Sequence, residues 1–531
     1  MAFWQDVVQI DIIAGREALW GVRNHNLIPL GGLVQFRNAT LEDNTWRTGG
    51  GASLLGTAIG ATKILAGIDY WPTTGQQRTV VACDNGKLYK DDGAGGGWVE
   101  LRTGLTGLTN GSANPFFCIA GSEATGRNRK LFYCDGASIP SYLDADAASM
   151  TLFNTSTESA ADWGAGANQP AFFLLHDGFL WAGGCPSTPH ILYRCTARSN
   201  HVDFRSATTY SFPIYSGESE RLAGGLSYKT GMLLWKYPDF VYFFDTANTS
   251  DTAWRAYKAG QPGMSGPWNA TLAEDDVAWV APDGALHLIS ATDAAGSVKA
   301  SGITYRKLGS WTRDQINRDR LNTAHIVYYS DKQEVELACC PAGQTTKSMR
   351  LHMDIGRREE VGERWIHWDR DQNEALFLRK VAGVQTPTFG DAAGQLWTLD
   401  RAERSKNGAG YTFEWFTKSS DFSEVVAQWA GRKKNGKYFK MEFDPRSTGS
   451  HTVEVWRDGV LRQTINVEIE TNAPVIPVVI PFTLGVDALD DTKFYKLNGR
   501  GTRWAFRGYS SSPGLDVSVT RVHLGMMLSS G

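Results

Sequence analysis

The chain has little cysteine, little histidine, no surplus of positive charge and no long apolar run, and each shortage excludes a class of protein. Its 531 residues include 7 cysteines and 10 histidines. No Cys-x-x-Cys pair occurs among Cys83, Cys118, Cys134, Cys185, Cys195, Cys339 and Cys340, and an odd number of thiols argues against a full disulfide framework. Most of these cysteines sit on apolar runs, where a thiol behaves as a small buried hydrophobe; a bridge between Cys185 and Cys195 is the expected exception. With 53 basic against 56 acidic residues the net charge is −3, so nothing global attracts nucleic acid or anionic lipid. The most apolar late stretch, Ala473 to Val486, is short and broken by Pro474, Pro477 and Pro481, which rules it out as a membrane span. The start, Met-Ala-Phe-Trp-Gln-Asp-Val-Val, lacks the basic region and apolar core of a signal peptide, and synthesis in a reducing cytoplasm is the expectation. Helix signals are weak, the best being Trp311 to Leu321 with apolar residues at 311, 316 and 321.

Catalytic patterns are equally sparse. No Gly-x-Ser-x-Gly occurs: Gly225-Leu-Ser-Tyr-Lys and Gly263-Met-Ser-Gly-Pro both miss the final glycine of a nucleophile elbow. His352-x-Asp354 and His367-x-Asp369 resemble each other, but no His-x-x-x-His pair or third ligand accompanies them, and both read as structural or surface histidines. Asp91-Asp92 and Asp490-Asp491 lack the twelfth-position Glu of a calcium loop. Gly431 to Lys437 has the Gly-x-x-x-x-Gly-Lys spacing of a phosphate loop. Tyr438 stands where that chemistry needs Ser or Thr, and Tyr-Phe-Lys-Met-Glu-Phe alternates as a strand rather than a helix. The segment reads as a basic β-hairpin whose Arg432, Lys433, Lys434 and Lys437 form a solvated tip or face a partner or DNA. No catalytic residue, cofactor site or metal ligand is assigned, and the chain is expected not to be an enzyme.

Turn-rich, aromatic β-structure is what the sequence does contain: 57 Gly, 24 Phe, 18 Tyr and 19 Trp. A phrase of apolar strand, tight turn and second strand recurs about every 50 residues. It begins with Thr79 to Cys83, Asp84-Asn85-Gly86, and Leu88-Tyr89. Looser copies are Phe132 to Gly136, Leu174 to Trp181, Leu226 to Trp235, Trp279 to Leu286, Val327 to Gln333 and Phe389 to Trp397. Asn, Asp and Gly suit these turns because a two-residue hairpin needs positive φ. A period of this length points to a propeller, whose units bury both faces only when stacked around a ring. Trp98, Trp181, Trp235, Trp279 and Trp397 are expected at equivalent packing positions in the blades.

The predicted fold is therefore all-β: a β-propeller of about seven irregular blades over residues 58–405, then a C-terminal β-sandwich-like domain over 406–531. Residues 1–57 read as an irregular segment that closes the ring or contacts a neighbour. Long loops such as Asn154 to Asn168 and Glu359 to Arg370 decorate the blades, and Arg404 to Gly410 reads as a linker. The C-terminal strands are expected at Tyr411 to Phe416, Lys437 to Phe443, Thr452 to Arg457, Val460 to Ile469 and Val517 to Leu524, with Asp458-Gly459 as a hairpin turn.

The order of these features resembles a known family. A short N-terminal segment ending in Gly32-Leu33-Val34 to Arg37 is followed by a first blade with Asp84-Asn85-Gly86-Lys87-Leu88-Tyr89 and a Gly-rich turn to Trp98-Val99-Glu100-Leu101. Leu288 to Asp293 leads to the mixed stretch Ser310 to Leu321, and Arg507-Gly508-Tyr509 to Leu524 ends the chain. This is similar to the propeller-bearing virion proteins of tailed bacteriophages, the tail tubular protein B or tail nozzle family, with the related packaged-DNA stabilisation proteins. Family members often carry Arg-Pro-Gly after the N-terminal segment, where this chain has Arg37-Asn38-Ala39. The resemblance implies a structural subunit of the virion tail, repeated as a hexameric ring around the DNA exit channel. Its partners would be the head-to-tail adaptor, tail fibres or spikes, and genomic DNA in non-specific passage; no cofactor and no membrane span are implied. A tail-tip receptor-binding or hub propeller is the alternative, and a polysaccharide-active propeller enzyme a third reading.

Overall fold

Each copy of the repeated phrase falls in a different blade: six blades are separate four-stranded antiparallel sheets, and blade 6 is four antiparallel strands of a larger sheet. The computed structural model describes residues 8–529 apart from 14–18, 20–27, 31, 43–44, 61, 74, 95, 122–128, 154–162, 164–167, 199, 205–209, 292–297, 303–306, 309–310, 356–363, 370, 401–403, 445–446 and 470–493. Five strands come first: β1 (Val8–Ile13), β2 (Leu33–Arg37), β3 (Ala39–Glu42), β4 (Thr45–Thr48) and β5 (Gly51–Leu55). Blade 1 is β6 (Ile64–Tyr70), β7 (Arg78–Cys83), β8 (Lys87–Asp91) and β9 (Trp98–Arg102), followed by the short helix α1 (Thr106–Thr109). Blade 2 is β10 (Phe116–Ala120), β11 (Lys130–Cys134), β12 (Ser141–Asp144) and β13 (Thr151–Leu152). Blade 3 is β14 (Phe172–His176), β15 (Phe179–Gly183), β16 (Ile191–Arg194) and β17 (Ser211–Pro213). Blade 4 is β18 (Arg221–Tyr228), β19 (Gly231–Tyr237), β20 (Phe240–Asp245) and β21 (Arg255–Gly260). Blade 5 is β22 (Ala270–Ala273), β23 (Asp276–Val280), β24 (Leu286–Ala291) and β25 (Val298–Gly302).

The stretch expected as a helix follows, divided between α2 (Trp311–Gln315) and a 3-10 turn at Arg318–Thr323. Blade 6 is β26 (His325–Tyr329), β27 (Glu334–Cys339), β28 (Met349–Asp354) and β29 (Arg364–Trp368). Blade 7 takes three strands from the same stretch of chain, β30 (Ala375–Val381), β31 (Val384–Gly390) and β32 (Leu396–Asp400), and its fourth from the N-terminal part. That strand is β5, antiparallel to β32 from Leu55 against Leu396 to Gly51 against Asp400.

One repeated hairpin occurs per blade, but not at one position in the blade. The marked turn joins the second and third strands in blades 1, 5 and 7, and the first and second in blades 3, 4 and 6; in blade 2 it follows the second strand. The tryptophans divide likewise. Trp181, Trp235 and Trp279 are buried on the second strands of blades 3, 4 and 5, whereas Trp397 lies on a third strand and Trp98 opens the outermost strand of blade 1. They are not equivalent, because an inward position on any strand between two blades can receive an indole.

Strands between two blades bury both faces, so they read as nearly unbroken apolar runs. β7, Arg-Thr-Val-Val-Ala-Cys, is buried from Thr79 to Cys83, while the outermost β9 buries only Leu101. Each pair of neighbouring blades shares an apolar seam. Phe132 and Phe173 meet between blades 2 and 3, Trp181 and Leu234 between 3 and 4, Trp235 and Trp279 between 4 and 5, and Phe389 and Ala338 between 7 and 6. The seam between blades 7 and 1 holds Phe377, Ala375 and Leu396 against Ile64, Val81 and Cys83. Two glycines permit that approach: a Cβ on Gly67 would lie 2.3 Å from the Phe377 ring, and one on Gly390 would lie 2.6 Å from Ile64.

The C-terminal strands are β33 (Phe413–Thr417), β34 (Lys434–Phe443), β35 (Gly449–Arg457), β36 (Val460–Ile469), β37 (Tyr495–Lys496), β38 (Arg500–Gly501), β39 (Trp504–Ser510) and β40 (Ser518–Leu528). They form a sandwich with strands from residues 1–57, a segment that the sequence reading left irregular. One sheet runs β3-β4-β40-β34-β37, with β1 also on β40 and β38 also on β34. The other runs β2-β33-β39-β35-β36 and continues from blade 6, giving nine strands in order from β26 to β36. β2 makes the join, antiparallel to β33 and touching β29 in parallel at Arg37 and His367. Between the sheets lie Trp46 against Trp415 at 5.5 Å and Phe439 stacked on Phe506 at 5.7 Å. The turn Asp458-Gly459 has φ of 49° and 80°, as a two-residue hairpin requires.

Thiols remain free throughout. Cys185 and Cys195, the pair named as the exception to free buried thiols, are both buried in blade 3 and unbridged. The Cys195 Sγ instead accepts from the Leu180 N–H at 3.2 Å and donates to the Ala197 carbonyl at 3.4 Å.

Candidate functional site: a pocket at the propeller mouth

Blade geometry gathers the segments that precede the first strands, and around one end of the ring these segments surround a pocket of about 320 Å³. Lys63 and Leu65 come from the start of blade 1, and Leu108 to Gly111 and Ala113 to Pro115 from α1 and the link to blade 2. Trp268 precedes blade 5, Arg320 to His325 lead into blade 6, Lys347 lies between β27 and β28, and Glu374 precedes blade 7. These segments are far apart in sequence, and the packing of the blades brings them together.

Three cations, Lys63, Arg320 and Lys347, share this lining with two carboxylates, Asp84 and Glu374. Lys63 Nζ lies 3.1 Å from Glu374 Oε1. Asp84 Oδ1 accepts from the Lys63 backbone N–H at 2.8 Å and from the Thr62 hydroxyl at 2.7 Å, which fixes the chain entering blade 1. Lys347 is buried and donates to the Thr323 carbonyl at 2.8 Å; desolvation pulls its pKa down to about 8, with Glu374 opposing. His325 Nδ1 accepts from the Leu376 N–H at 2.9 Å, so the neutral ring carries its proton on Nε2. Burial and, secondarily, Lys347 hold it well below the ordinary histidine range. Trp268 donates to the Pro115 carbonyl at 2.7 Å and lies 5.6 Å from the His325 ring. The exposed Arg320 offers its guanidinium at the rim. Neither Ser nor Cys lines the pocket among the described residues. The arrangement is suited to holding a small polar or anionic group beside an indole.

The basic segment lies elsewhere, on the sandwich, and it is not a hairpin. Arg432 and Lys433 are exposed on the turn before β34, and Lys437 is exposed on the strand. Lys434 is fully buried, its Nζ donating to the Thr502 carbonyl at 2.9 Å, and desolvation lowers its pKa. β34 pairs with β40, β37 and β38, all of them far later in sequence, so no hairpin partner follows it. Alternation along the strand is what separates Lys434 from Lys433 and turns it inward. The strand reading of Tyr438 to Phe443 agrees with the structure.

His352-x-Asp354 and His367-x-Asp369 lie toward opposite ends of the antiparallel neighbours β28 and β29 and do unlike things. His352 is buried beside Glu334 and Glu336, and Asp354 pairs with Arg364. His367 meets the Trp311 ring at 5.4 Å, and Asp369 binds Asn38. Asp92 caps its own turn, accepting from the Ala94 N–H at 2.8 Å. Asp490-Asp491, the stretch Ala473 to Val486 and most of the loop Asn154 to Asn168 lie outside the described residues. Lys347, Glu374, Arg320 and Trp268 escaped the sequence reading. Their common signal is position, close to a blade's first strand or in the loop beside it, and reading it requires the strand register within each blade.

No protein-family model matches the chain, and no curated protein matches it. Among solved structures, it is similar to the computationally designed Ika8 protein at 9% identity, covering 66% of this chain and 100% of that one, with a TM-score of 0.36. A structure of U3-55K matches at 10% identity over 66% of this chain and 98% of that one, TM-score 0.39. YCF48 bound to D1 peptide matches at 11% identity over 66% and 94%, TM-score 0.38. Among the described residues, no helix is long and apolar enough to cross a membrane.

Proposed function

We propose that this chain is a non-enzymatic building block of a bacteriophage tail, a nozzle or tail-tube subunit that assembles as a ring and carries adaptor, fibres or spikes. The observation that carries the reading is the nine-stranded sheet running from blade 6 into the sandwich. A hinge between two domains needs a few residues free to change φ and ψ, and a continuous sheet leaves none at that edge. A rigid two-part body of this kind suits a load-bearing subunit better than a domain-closing enzyme. Near-neutral charge supports it too, because each phosphate neutralised by a conduit would retain the DNA it has to release. Ring assembly requires a head-to-tail interface that closes on itself.

Purified protein should form closed rings, sixfold by the family resemblance, in negative-stain images and light scattering. A strict monomer at high concentration, with no ring in particle images, sinks the proposal. A second reading, a receptor-binding propeller at a tail tip, is favoured by the mouth pocket with Arg320 at its rim. It predicts binding to host cells or arrayed anionic glycans that is lost in Arg320→Glu, and no binding at all eliminates it.

A further inference from the structure

Glu334 and Glu336 alternate along β27, and His352 on β28 stands directly opposite Glu336 in the antiparallel register. All three therefore project from one face of blade 6. Ala338 and Arg350 lie on that same face and identify it: Ala338 belongs to the seam with Phe389 of blade 7, and the Arg350 guanidinium is 5.1 Å from the Phe389 ring. The three side chains are thus enclosed between blades 6 and 7, at 5%, 0% and 1% exposure for Glu334, Glu336 and His352.

Ion pairing accounts poorly for the spacing within this group. His352 Nδ1 lies 3.5 Å from Glu336 Oε1 and 3.7 Å from Glu334 Oε2, both longer than a hydrogen bond. Neither oxygen of Glu336 has a hydrogen-bond partner, though the carboxylate is fully buried. The buried Arg350 guanidinium balances the charge of Glu336 at 3.4 Å without a hydrogen bond, so both carboxylate oxygens keep lone pairs for a further ligand. Two ligand atoms on a tetrahedral ion at about 2.0 to 2.1 Å are separated by roughly 3.4 Å, close to what is seen here. One ligand atom from each residue falls within 4.8 Å of the others, so a single small ion can reach all three. Arg350 lies on the far side of Glu336, with its guanidinium 3.4 Å from Oε2, leaving Oε1 facing the imidazole. A carboxylate that ligates through one oxygen and is oriented by a cation through the other is a common outer-shell arrangement.

We propose that Glu334, Glu336 and His352 supply three ligands, with an enclosed water as the fourth, to a buried site for a divalent transition metal, zinc being the ion class that fits, which pins β27 to β28 beside the seam with blade 7. One nitrogen and two oxygen ligands on a small ion suit zinc, whereas calcium takes six to eight oxygens, more than this enclosure supplies. Because the site is closed to solvent, the ion enters during folding rather than by diffusion into the finished ring.

The full chain, without a histidine tag, is isolated after growth in zinc-supplemented and in zinc-depleted medium and assayed by elemental analysis. The expectation is about one zinc per chain from supplemented cells, with higher thermal stability than the depleted sample. Growth with cobalt(II) should give the visible absorption of a tetrahedral site. Glu336→Gln and His352→Gln should lose the ion and the difference between the two media while keeping the β-sheet circular dichroism signal. Arg350→Lys, which retains a cation but not the fork, should bind roughly tenfold or more weakly. Folded wild-type protein that contains no transition metal and melts at one temperature from both media overturns the proposal, leaving the group an ion-pair network with Arg350. Zinc retained in folded Glu336→Gln and His352→Gln protein overturns it as well, by placing the ion elsewhere.

Discussion

Asn38 and Asp369, 331 residues apart, bind each other reciprocally: the Asn38 amide donates to Asp369 Oδ1 at 2.9 Å, and the Asp369 backbone N–H donates to Asn38 Oδ1 at 3.1 Å. Asn38 also donates to the Thr412 carbonyl at 2.8 Å, so one buried amide ties β2 to the end of blade 6 and to the approach to β33. Its φ of 50° is left-handed, which asparagine tolerates and proline cannot adopt. Asn38→Ala should cost about 2 to 4 kcal/mol, from lost buried hydrogen bonds and left-handed strain, read as a shift of the urea midpoint. A loss below about 0.5 kcal/mol would mean that the junction does not depend on this residue.

Ring closure by β5 makes a second prediction. A fragment of residues 58–405 removes both the fourth strand of blade 7 and β2, leaving unpaired edges on blades 6 and 7. It should aggregate or melt well below the full chain. Equal thermal stability of fragment and full chain would show that neither strand is needed.

Gly390→Ala tests the seam between blades 7 and 1. The new Cβ would lie 2.6 Å from Ile64, and the overpacking should destabilise by about 1 to 3 kcal/mol. Ile64→Ala removes the Cγ2 and Cδ1 atoms that the new methyl would crowd, and a double-mutant cycle of the two measures the coupling.

His451 should make stability depend on pH. Its Nε2 accepts from Trp415 Nε1 at 3.0 Å, and burial pushes its pKa down to about 3. The unfolded chain takes up the proton near pH 6.5, so stability from this group is complete above that pH and is lost as pH falls toward 3. His451→Phe should flatten the change in unfolding free energy below about pH 6.5 by up to roughly 1.4 kcal/mol per pH unit. An unchanged slope would show that the imidazole is already protonated in the folded state.

The seven free cysteines supply a fifth test. Six are buried and Cys118 is partly so, and desolvation raises Cys118 to about 12 and Cys195 to about 11. A thiol reagent at mild alkaline pH should label none rapidly in the native chain and all seven in denaturant. Fast labelling of several native thiols would contradict the packing of the blades.

Much of the ring was legible because hairpins are local. Positive φ at Gly86, Gly178, Gly284 and Gly394 sits where the Asp-Gly and related turns mark the sequence, one per blade. The position of each hairpin within its blade was not legible, since Leu174 to Trp181 and Phe389 to Trp397 look alike whether they form strands one and two or two and three. Cations were misjudged for a related reason: Lys433 and Lys434 are adjacent in the same basic run, and only pairing of β34 with β38 and β40 decides which faces the interior.

Local turn chemistry and apolar runs by themselves determined an all-β chain of repeated strand pairs with a second β-rich part, because those features depend on neighbouring residues. Tertiary structure alone decided that Gly51–Leu55 completes the last blade, that Leu33–Arg37 joins the ring to the sandwich, and that Glu336 meets His352. Each of these is a pairing between strands, and backbone hydrogen bonds across a sheet carry no record in sequence of which partner they will find.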